Sequence, residues 1–339
     1  MKKNYFMLAF ATMMMAACAN NDLVDDLVKE EVPQAIGFET FSNKISRQVA
    51  DATKLDSYHD AFGVWAYKTV DTEKTVMENY QVVKSDWTYA GVGTQTLKYW
   101  DKQATKYSFY AYAPYAASPS VVSISNGKIS IVNGEYAANE NLQSNIVDGK
   151  ETGFTTTPNS KKFSGTGEAA TNASTDWMIA DAETVATAKF GETVQEKFKH
   201  TMSKLIVILQ SNDVATGTKV EVTSVSVNNV HGKGSFDGTE WTATDAAKSI
   251  DGLVGELKTN GNYYSMEYLL IPSTDKPTFS ITYTVNGDTY TVTGATITGI
   301  AKFEANTCYT LTATIGLSPI KFTASAVDFS QADGSVTIQ

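Results

Sequence analysis

The sequence predicts an all-β protein built from β-sandwich domains, because apolar and polar residues alternate along many short segments that polar turns separate. A period of two is typical of strands that bury one face. Clear examples are Phe62, Val64 and Ala66, and Ile281, Tyr283 and Val285. Asn286-Gly287 lies between two such segments and predicts a hairpin with a type I′ turn. Long helical periodicity is nearly absent, and residues 244–258 are the main stretch expected to hold a short helix.

Length and composition allow two packed domains and argue against several classes of function. The chain has 339 residues, of which 42% are hydrophobic and 19% charged, so it can fill about two cores at roughly 150 residues each. A formal net charge of −10 does not fit a basic nucleic-acid-binding face. With 3 His and 2 Cys, the chain has few ligands for zinc or iron–sulfur sites. We therefore predict no metal and no cofactor.

The N-terminus has the form of an export signal that ends at a cysteine. Lys2 and Lys3 precede an apolar run over residues 5–15, and Cys18 follows two alanines. The run of about 11 residues is short of the roughly 20 that span a bilayer, which indicates a cleaved signal peptide over residues 1–17. Residues 15–18, Met-Ala-Ala-Cys, resemble a bacterial lipoprotein box. That resemblance implies that Cys18 carries acyl chains such as palmitate and holds a surface-exposed chain on the cell outer membrane. The alternative is an ordinary secretory signal.

Residues 18–47 are predicted to be an acidic tether followed by a short strand. The acidic residues of the tether are Asp22, Asp25, Asp26, Glu30 and Glu31. A run of this composition stays solvated and spaces the folded part from the membrane. After Pro33, Ile36, Phe38 and Thr40 alternate as in a strand that buries one face.

The remaining chain is divided into two predicted β-sandwich domains. Residues 139–175 are rich in Asn, Ser, Thr and Gly, which is typical of a long surface loop. A predicted strand at 176–181 and a polar stretch at 183–196 follow it. We place the boundary at residues 190–191, so that the N-terminal domain covers 48–190 and the C-terminal domain covers 191–339.

Six short segments stand out along the chain in a fixed order. They are Ile-Gly-Phe at 36–38, Phe-Gly-Val-Trp-Ala-Tyr at 62–67, Asp-Trp-Met at 176–178, Phe-Lys-His-Thr-Met-Ser-Lys-Leu at 198–205, Leu-Ile-Pro at 270–272 and Tyr-Thr-Leu at 309–311. Together they resemble the fimbrillin family, whose members are subunits of surface pili of Gram-negative bacteria. The resemblance implies two transthyretin-like β-sandwich domains. It also implies a non-enzymatic subunit of a fimbrium that supports cell adhesion and has other pilus subunits as partners.

The resemblance implies a role for Arg47. Fimbrillins are cut after an arginine by an arginine-specific protease, which removes the lipid and the first strand, and a strand of the next subunit fills the groove left behind. In this chain the cut would lie between Arg47 and Gln48 and would remove Ile36, Phe38 and Thr40. An unpaired strand edge beside an apolar face is the physical basis of such strand addition. Arg47 is the single arginine of the chain, so the protease could cut nowhere else; the alternative is that arginine is merely scarce here.

The C-terminus is predicted to hold the donated strand. Phe322, Ala324 and Ala326 alternate, and so do Val336 and Ile338 after a turn. The resemblance makes either set a possible donor strand and favours a stalk subunit. The alternative is that both are ordinary edge strands of the second domain.

A surface-exposed glycan-binding lipoprotein is the alternative function. Trp87, Trp100 and Trp241 could stack on sugars or on other host or microbial surface ligands, and such a role predicts exposed aromatic residues clustered on one face. A pilus subunit predicts instead a removable first strand that covers an apolar groove. None of the common catalytic motifs for metal, nucleophile or nucleotide chemistry occurs in the sequence, so we predict no enzyme.

Overall fold

The computed structural model describes residues 33–42, 61–83, 95–135, 146–147, 150–151, 177–211, 217–252, 254–257, 262–316 and 320–328. The strands of the first half are β1 Phe38–Ser42, β2 Ala61–Thr69, β3 Glu73–Val83, β4 Lys106–Ala113, β5 Val122–Ser125, β6 Lys128–Glu135, β7 Ile146–Val147, β8 Lys150–Glu151, β9 Met178–Ala180, β10 Glu183–Ala186 and β11 Val194–His200. A single 3-10 turn, Thr187–Lys189, lies between β10 and β11 in this described part.

The strands of the second half are β12 Ser203–Ser211, β13 Val220–Val230, β14 Lys233–Phe236, β15 Trp241–Ala243, β16 Lys248–Asp251, β17 Gly255–Leu257, β18 Asn262–Leu270, β19 Thr278–Val285, β20 Asp288–Thr296, β21 Thr307–Ile315 and β22 Lys321–Asp328. The all-β prediction is confirmed. The short helix expected at 244–258 is wrong, because those residues form β16 and β17, which both pair with β13.

The first sheet has the order β1-β11-β9-β4-β2-β3, with β10 beside β4. Alternate residues of its strands fill what we call the first core. Its aromatic members include the rings of Phe38, Phe62, Phe109 and Phe198, all almost completely buried. The period-two pattern of the sequence therefore corresponds to the inward face of this sheet.

The second half is a sandwich of two sheets around one core. One sheet has the order β18-β12-β21-β22, and the other has β16-β13-β19-β20 with β17 also on β13. Buried residues of β12, β13, β19 and β21 belong to the same hydrophobic cluster, which we call the second core. The hairpin predicted at Asn286-Gly287 joins β19 to β20, and both residues have positive φ (50° and 96°), as a type I′ turn requires.

A fourth sheet, with the order β15-β14-β6-β5, contains strands from both halves of the chain. Phe236 and Trp241 from its C-terminal strands pack with Trp65 and Tyr112 of the first sheet. The sequence predicts a domain boundary at residues 190–191. In the structure β11 belongs to the first sheet and the first core extends to Phe198. β14 pairs with β6 of the N-terminal half, and β15 lies on the other side of β14. Alternation along a strand shows what the strand buries but not which neighbour it pairs with.

Gly63 is required by a close approach of the Tyr112 ring. The two residues are paired across β2 and β4, and a Cβ at position 63 would overlap that ring. The ring is held in place because it stacks on Trp65 at 5.3 Å and its hydroxyl donates to Oδ1 of Asn79 at 2.7 Å.

We expect Gly63→Ala to lower the free energy of unfolding by about 1–3 kcal/mol, because a fixed ring cannot move to admit a methyl group. Thermal unfolding followed by circular dichroism measures this loss as a lower melting temperature. Gly37→Ala is the matched control, since a Cβ there meets no atom within 4 Å. Equal melting temperatures for the two variants would show that the ring is not fixed.

Candidate functional site: the groove filled by the first strand

The first strand occupies a slot between two backbone segments. β1 pairs in parallel with β11, from Phe38 opposite Val194 to Ser42 opposite Phe198. Just before β1, the amide of Ile36 donates to the carbonyl of Lys98 at 2.9 Å, and the amide of Trp100 donates to the carbonyl of Gln34 at 3.0 Å. Residues 34–42 are thus bonded to residues 98–100 on one side and to β11 on the other.

The side chains of this segment complete the first core. Ile36 is 1% exposed and Phe38 is 3% exposed. The Phe38 ring meets Phe62 at 5.9 Å and Phe109 at 5.8 Å, both edge to face. Burying two side chains of this size contributes about 1.5–3 kcal/mol each. Two apolar residues and a row of backbone bonds therefore hold β1 in place.

Removal of residues 34–42 would uncover a continuous acceptor surface. It includes the rings of Phe62 and Phe109, which the Phe38 ring contacts, and the backbone edge of β11, where Val194 and Phe198 are paired with Phe38 and Ser42. We call this surface the first-strand groove. An unpaired edge beside exposed aromatic rings is a template for another extended chain. The groove can therefore bind a strand by main-chain pairing and by side-chain insertion.

A buried carboxyl lies on the same face of β11. Glu196 is 0% exposed, and neither of its oxygens has a hydrogen-bond partner within the described residues. Its Cα is paired with that of Thr40 in β1. Burial, and secondarily the nearby charge of Glu183, raises the pKa of Glu196 to about 8. The sequence analysis missed this residue, because an acid within the polar stretch 183–196 gave no signal of burial.

We expect stability to fall as the pH rises from about 5 to about 8, and Glu196→Gln to remove this loss. Over that range the folded protein keeps a proton that the unfolded chain has released. Unfolding therefore gains favour by up to about 1.4 kcal/mol per pH unit. Thermal unfolding of the precursor at several pH values measures this loss. By pH 8 the melting temperature of the variant should have risen by several degrees relative to that of the wild type.

Two comparisons isolate the Glu196 contribution. Glu192→Gln changes an exposed carboxylate on the same connection and should follow the wild type at every pH. Burial alone would lower the pKa of His231, but hydrogen bonds with Asp275 and Asp245 raise it overall. The stability that His231 contributes is lost as the pH rises through that pKa. Because this loss is the same in the wild type and in Glu196→Gln, it cancels in the difference between their melting temperatures. Parallel curves for Glu196→Gln and wild type would contradict a buried neutral carboxyl.

The sequence-predicted residues of this site fall into two groups. Ile36, Phe38 and Thr40 lie on the segment that fills the groove. Cys18, Arg47, Gln48, Val336 and Ile338 lie outside the described residues, and their roles stay predictions.

The described part of the predicted donor strand is β22. It pairs with β21 at the edge of its sheet, Ala324 is buried, and Phe322 meets Phe279 at 5.1 Å. In this structure Phe322 and Ala324 thus pack against the second core of their own chain.

Two of the proposed sugar platforms are core residues. Trp100 is 8% exposed and meets Tyr107 at 4.9 Å and Phe190 at 5.0 Å. Trp241 is 7% exposed and donates its indole N–H to the carbonyl of Thr201 at 2.7 Å. The prediction that these two tryptophans stack on sugars is wrong, because neither has a free face. Trp87 lies outside the described residues.

Two further features of the described part of the chain concern metal ligands and membrane-spanning helices. Those residues contain no group of three His, Cys, Asp or Glu side chains that could hold a metal ion. None of the helical segments described there has the length and apolar character needed to cross a bilayer.

The fold and the groove together define a class: an all-β protein whose first strand lies at a sheet edge and completes the first core of its own chain. A family model described as fimbrillin-like matches residues 49–328, and the chain belongs to this family. That match confirms the resemblance found in the sequence.

Two known proteins illustrate the similarity. The fimbrium subunit Fim1C of Phocaeicola vulgatus is 23% identical over 266 residues, which are 72% of this chain and 62% of Fim1C. The chain thus aligns with less than two thirds of the length of this curated relative. A crystal structure of a fimbrial protein from Bacteroides vulgatus matches with a TM-score of 0.55 at 18% identity, over 87% of this chain and 99% of that one. This second similarity supports the fold.

Proposed function

We propose that this chain is a structural subunit of a surface pilus that supports adhesion, and that it polymerises by exchanging its first strand for a strand of a neighbour. One observation carries the proposal: residues 34–42, a short segment that precedes the rest of the fold, place Ile36 and Phe38 in the first core. A strand placed this way can be removed without breaking the connections between the other strands. Membership of the fimbrillin-like family supports the same role.

The precursor is proposed to reach the outer membrane as a lipoprotein. Acyl chains on Cys18 hold the chain at the membrane, and the acidic tether up to Pro33 spaces the folded part from it. In this state the groove is filled by residues of the same chain. The precursor is therefore protected from aggregation through an open edge.

Cleavage after Arg47 is proposed to start assembly. Ser42 is the last residue of β1, so the cut falls just beyond the strand and separates it from the rest of the chain. The freed segment leaves together with its lipid. The exposed groove then accepts an extended C-terminal segment of another subunit.

N-terminal sequencing of the protein purified from the cell surface tests this proposal. We expect the assembled form to begin at Gln48, because the cut removes both the lipid and β1. A precursor fraction that is labelled by fatty acid should begin at Cys18. Where the α-amine of Cys18 is itself acylated, this fraction should give no N-terminal sequence. Assembled protein that still contains residues 34–42 would contradict the proposal.

A further inference from the structure

The first-strand groove has one polar position in an otherwise apolar surface. Along β11, Val194 and Phe198 are buried apolar residues, and the buried Glu196 lies between them on the same face. The register places Phe38 opposite Val194 and Thr40 opposite Glu196. Counted from the buried Ile36, a strand that fills the groove meets apolar surroundings at its first two inward positions and the carboxyl of Glu196 at the third. Its fourth inward position lies opposite Phe198.

The carboxyl of Glu196 has an unmet hydrogen-bonding capacity while β1 is in place. Neither oxygen has a partner in the described structure, although the side chain is completely buried. Burial favours the protonated form, which offers one O–H donor and a carbonyl acceptor. A primary amide offers the complementary pair, an N–H donor and a carbonyl acceptor, so that a carboxyl and an amide can form two hydrogen bonds at once. The groove thus fits a strand with an amide side chain at its third inward position.

The C-terminal sequence contains one segment with this pattern. The precursor strand has an aliphatic, an aromatic and a polar residue at alternate positions, at Ile36, Phe38 and Thr40. Residues 320–339 contain two aromatic residues, Phe322 and Phe329. Starting from Phe329, the pattern is met by Val327 before it and Gln331 after it.

The competing alignments leave Glu196 without a partner. An alignment on Phe322 puts Ala324 at the polar position, and a reversed strand centred on Phe329 puts Val327 there. Neither side chain can hydrogen-bond to the carboxyl. The parallel direction, the same as that of β1 against β11, is therefore the one that satisfies the groove.

We infer that the groove accepts the C-terminal tail of a second copy of this chain, parallel to β11, with Phe329 in the place of Phe38 and Gln331 opposite Glu196. This inference rests on the proposed function, since it needs β1 to be removed. β22 ends at Asp328, so Phe329 and Gln331 belong to the chain that follows it. The last pairs of β22, Val327 with Cys308 and Asp328 with Thr307, open as the tail extends into the neighbour.

This arrangement gives the exchange a direction. With β1 bound, the buried carboxyl lacks a partner; with the tail bound, Gln331 supplies one. A buried polar group that gains its hydrogen bonds stabilises the state in which it gains them. Glu196 therefore acts as a specificity-determining residue that prefers the tail over the strand it replaces.

The test uses the precursor without its signal peptide, cut at Arg47 by an arginine-specific protease, with polymer formation followed by light scattering. Gln331→Leu should slow polymer growth by about tenfold or more, because Glu196 stays buried without a partner. Ser330→Leu is the matched control, since it adds the same side chain at the neighbouring position that faces away from the groove. It should polymerise at the wild-type rate.

A paired substitution tests the contact itself. Glu196→Leu alone should also slow growth, because the amide of Gln331 then enters an apolar wall. Glu196→Leu combined with Gln331→Leu should restore growth to within about twofold of wild type, since both partners are now apolar. Failure of the pair to recover, with a folded Glu196→Leu precursor, would overturn the inference. Should Glu196→Leu not fold, Gln331→Leu against Ser330→Leu decides the question alone.

The outcomes separate the inference from the function beneath it. If the cut wild-type protein forms no polymer, strand exchange itself is wrong. If the wild type polymerises and Gln331→Leu polymerises equally fast, the proposed register is wrong and the pilus function stands.

Discussion

Replacing Arg47 with Ala is expected to leave the precursor folded and to abolish its assembly into pili. The sequence predicts that Arg47 lies in an exposed polar stretch, where a substitution changes stability by about 0.5 kcal/mol or less. Without the cut, residues 34–42 stay joined to the chain, and Ile36 and Phe38 stay in the first core. The groove is then filled in every subunit, and no neighbour can enter it.

The size of this effect follows from effective concentration. A tethered strand competes for its own groove at roughly millimolar effective concentration, whereas a neighbour's strand is present at roughly micromolar concentration. The tether alone therefore disfavours exchange by about a thousandfold. Electron microscopy of the cell surface and the yield of sheared pili measure the loss.

Lys44→Ala is the matched control for Arg47→Ala. It removes a positive charge from the same polar stretch and keeps the cleavage site, so pili should form normally. Pili of normal number and length on the Arg47→Ala strain would contradict processing at this residue. In that case glycan binding by a surface lipoprotein would become the leading proposal for the function.

The sequence could predict the strand that fills the groove, because its pattern is local. Ile36 and Phe38 alternate with Gly37 and Glu39, and the structure buries the first pair and leaves Glu39 exposed. The turn at Asn286-Gly287 could be predicted for the same reason, since two adjacent residues set its backbone conformation. Local features of this kind require no knowledge of which strands become neighbours.

Features that depend on distant neighbours could not be predicted in this way. Glu196 is an acid in a polar run, and its burial results from β1 packing beside β11 from more than 150 residues away along the chain. Trp241 is an aromatic residue of the kind that stacks on sugars when it is exposed. The pairing of β14 and β15 instead places it in the core that it shares with Trp65. Strand pairing decided both outcomes, and alternation alone contains no information about pairing.

We expect Phe38→Ala to weaken the precursor and to speed strand exchange, while leaving the finished polymer unchanged. Loss of a buried phenylalanine ring costs about 3–5 kcal/mol, and here the ring bridges Phe62 and Phe109 in the first core. After cleavage, β1 and the tail of a neighbour compete for the groove. A loss of 3 kcal/mol should speed the release of β1 by about a hundredfold or more, which leaves the groove open to the tail for a larger share of the time.

The design separates the precursor from the assembled state. Phe38 lies before the cut, so the subunit that begins at Gln48 has the same sequence in variant and wild type. Thermal unfolding of the precursor should show the loss, and light scattering after cleavage should show faster growth. The resistance of the final polymer to heat and detergent should be the same.

Glu39→Ala provides the control within the same strand. Glu39 faces solvent, where its carboxylate accepts a hydrogen bond of 2.8 Å from the Gln195 side chain, and an exposed contact of this kind contributes little. Its precursor and its polymer should both behave as wild type. If Phe38→Ala left growth unchanged, β1 would not be what blocks the groove. If it weakened the finished polymer, β1 would still be present there, and replacement of the first strand by a neighbour's tail would be wrong.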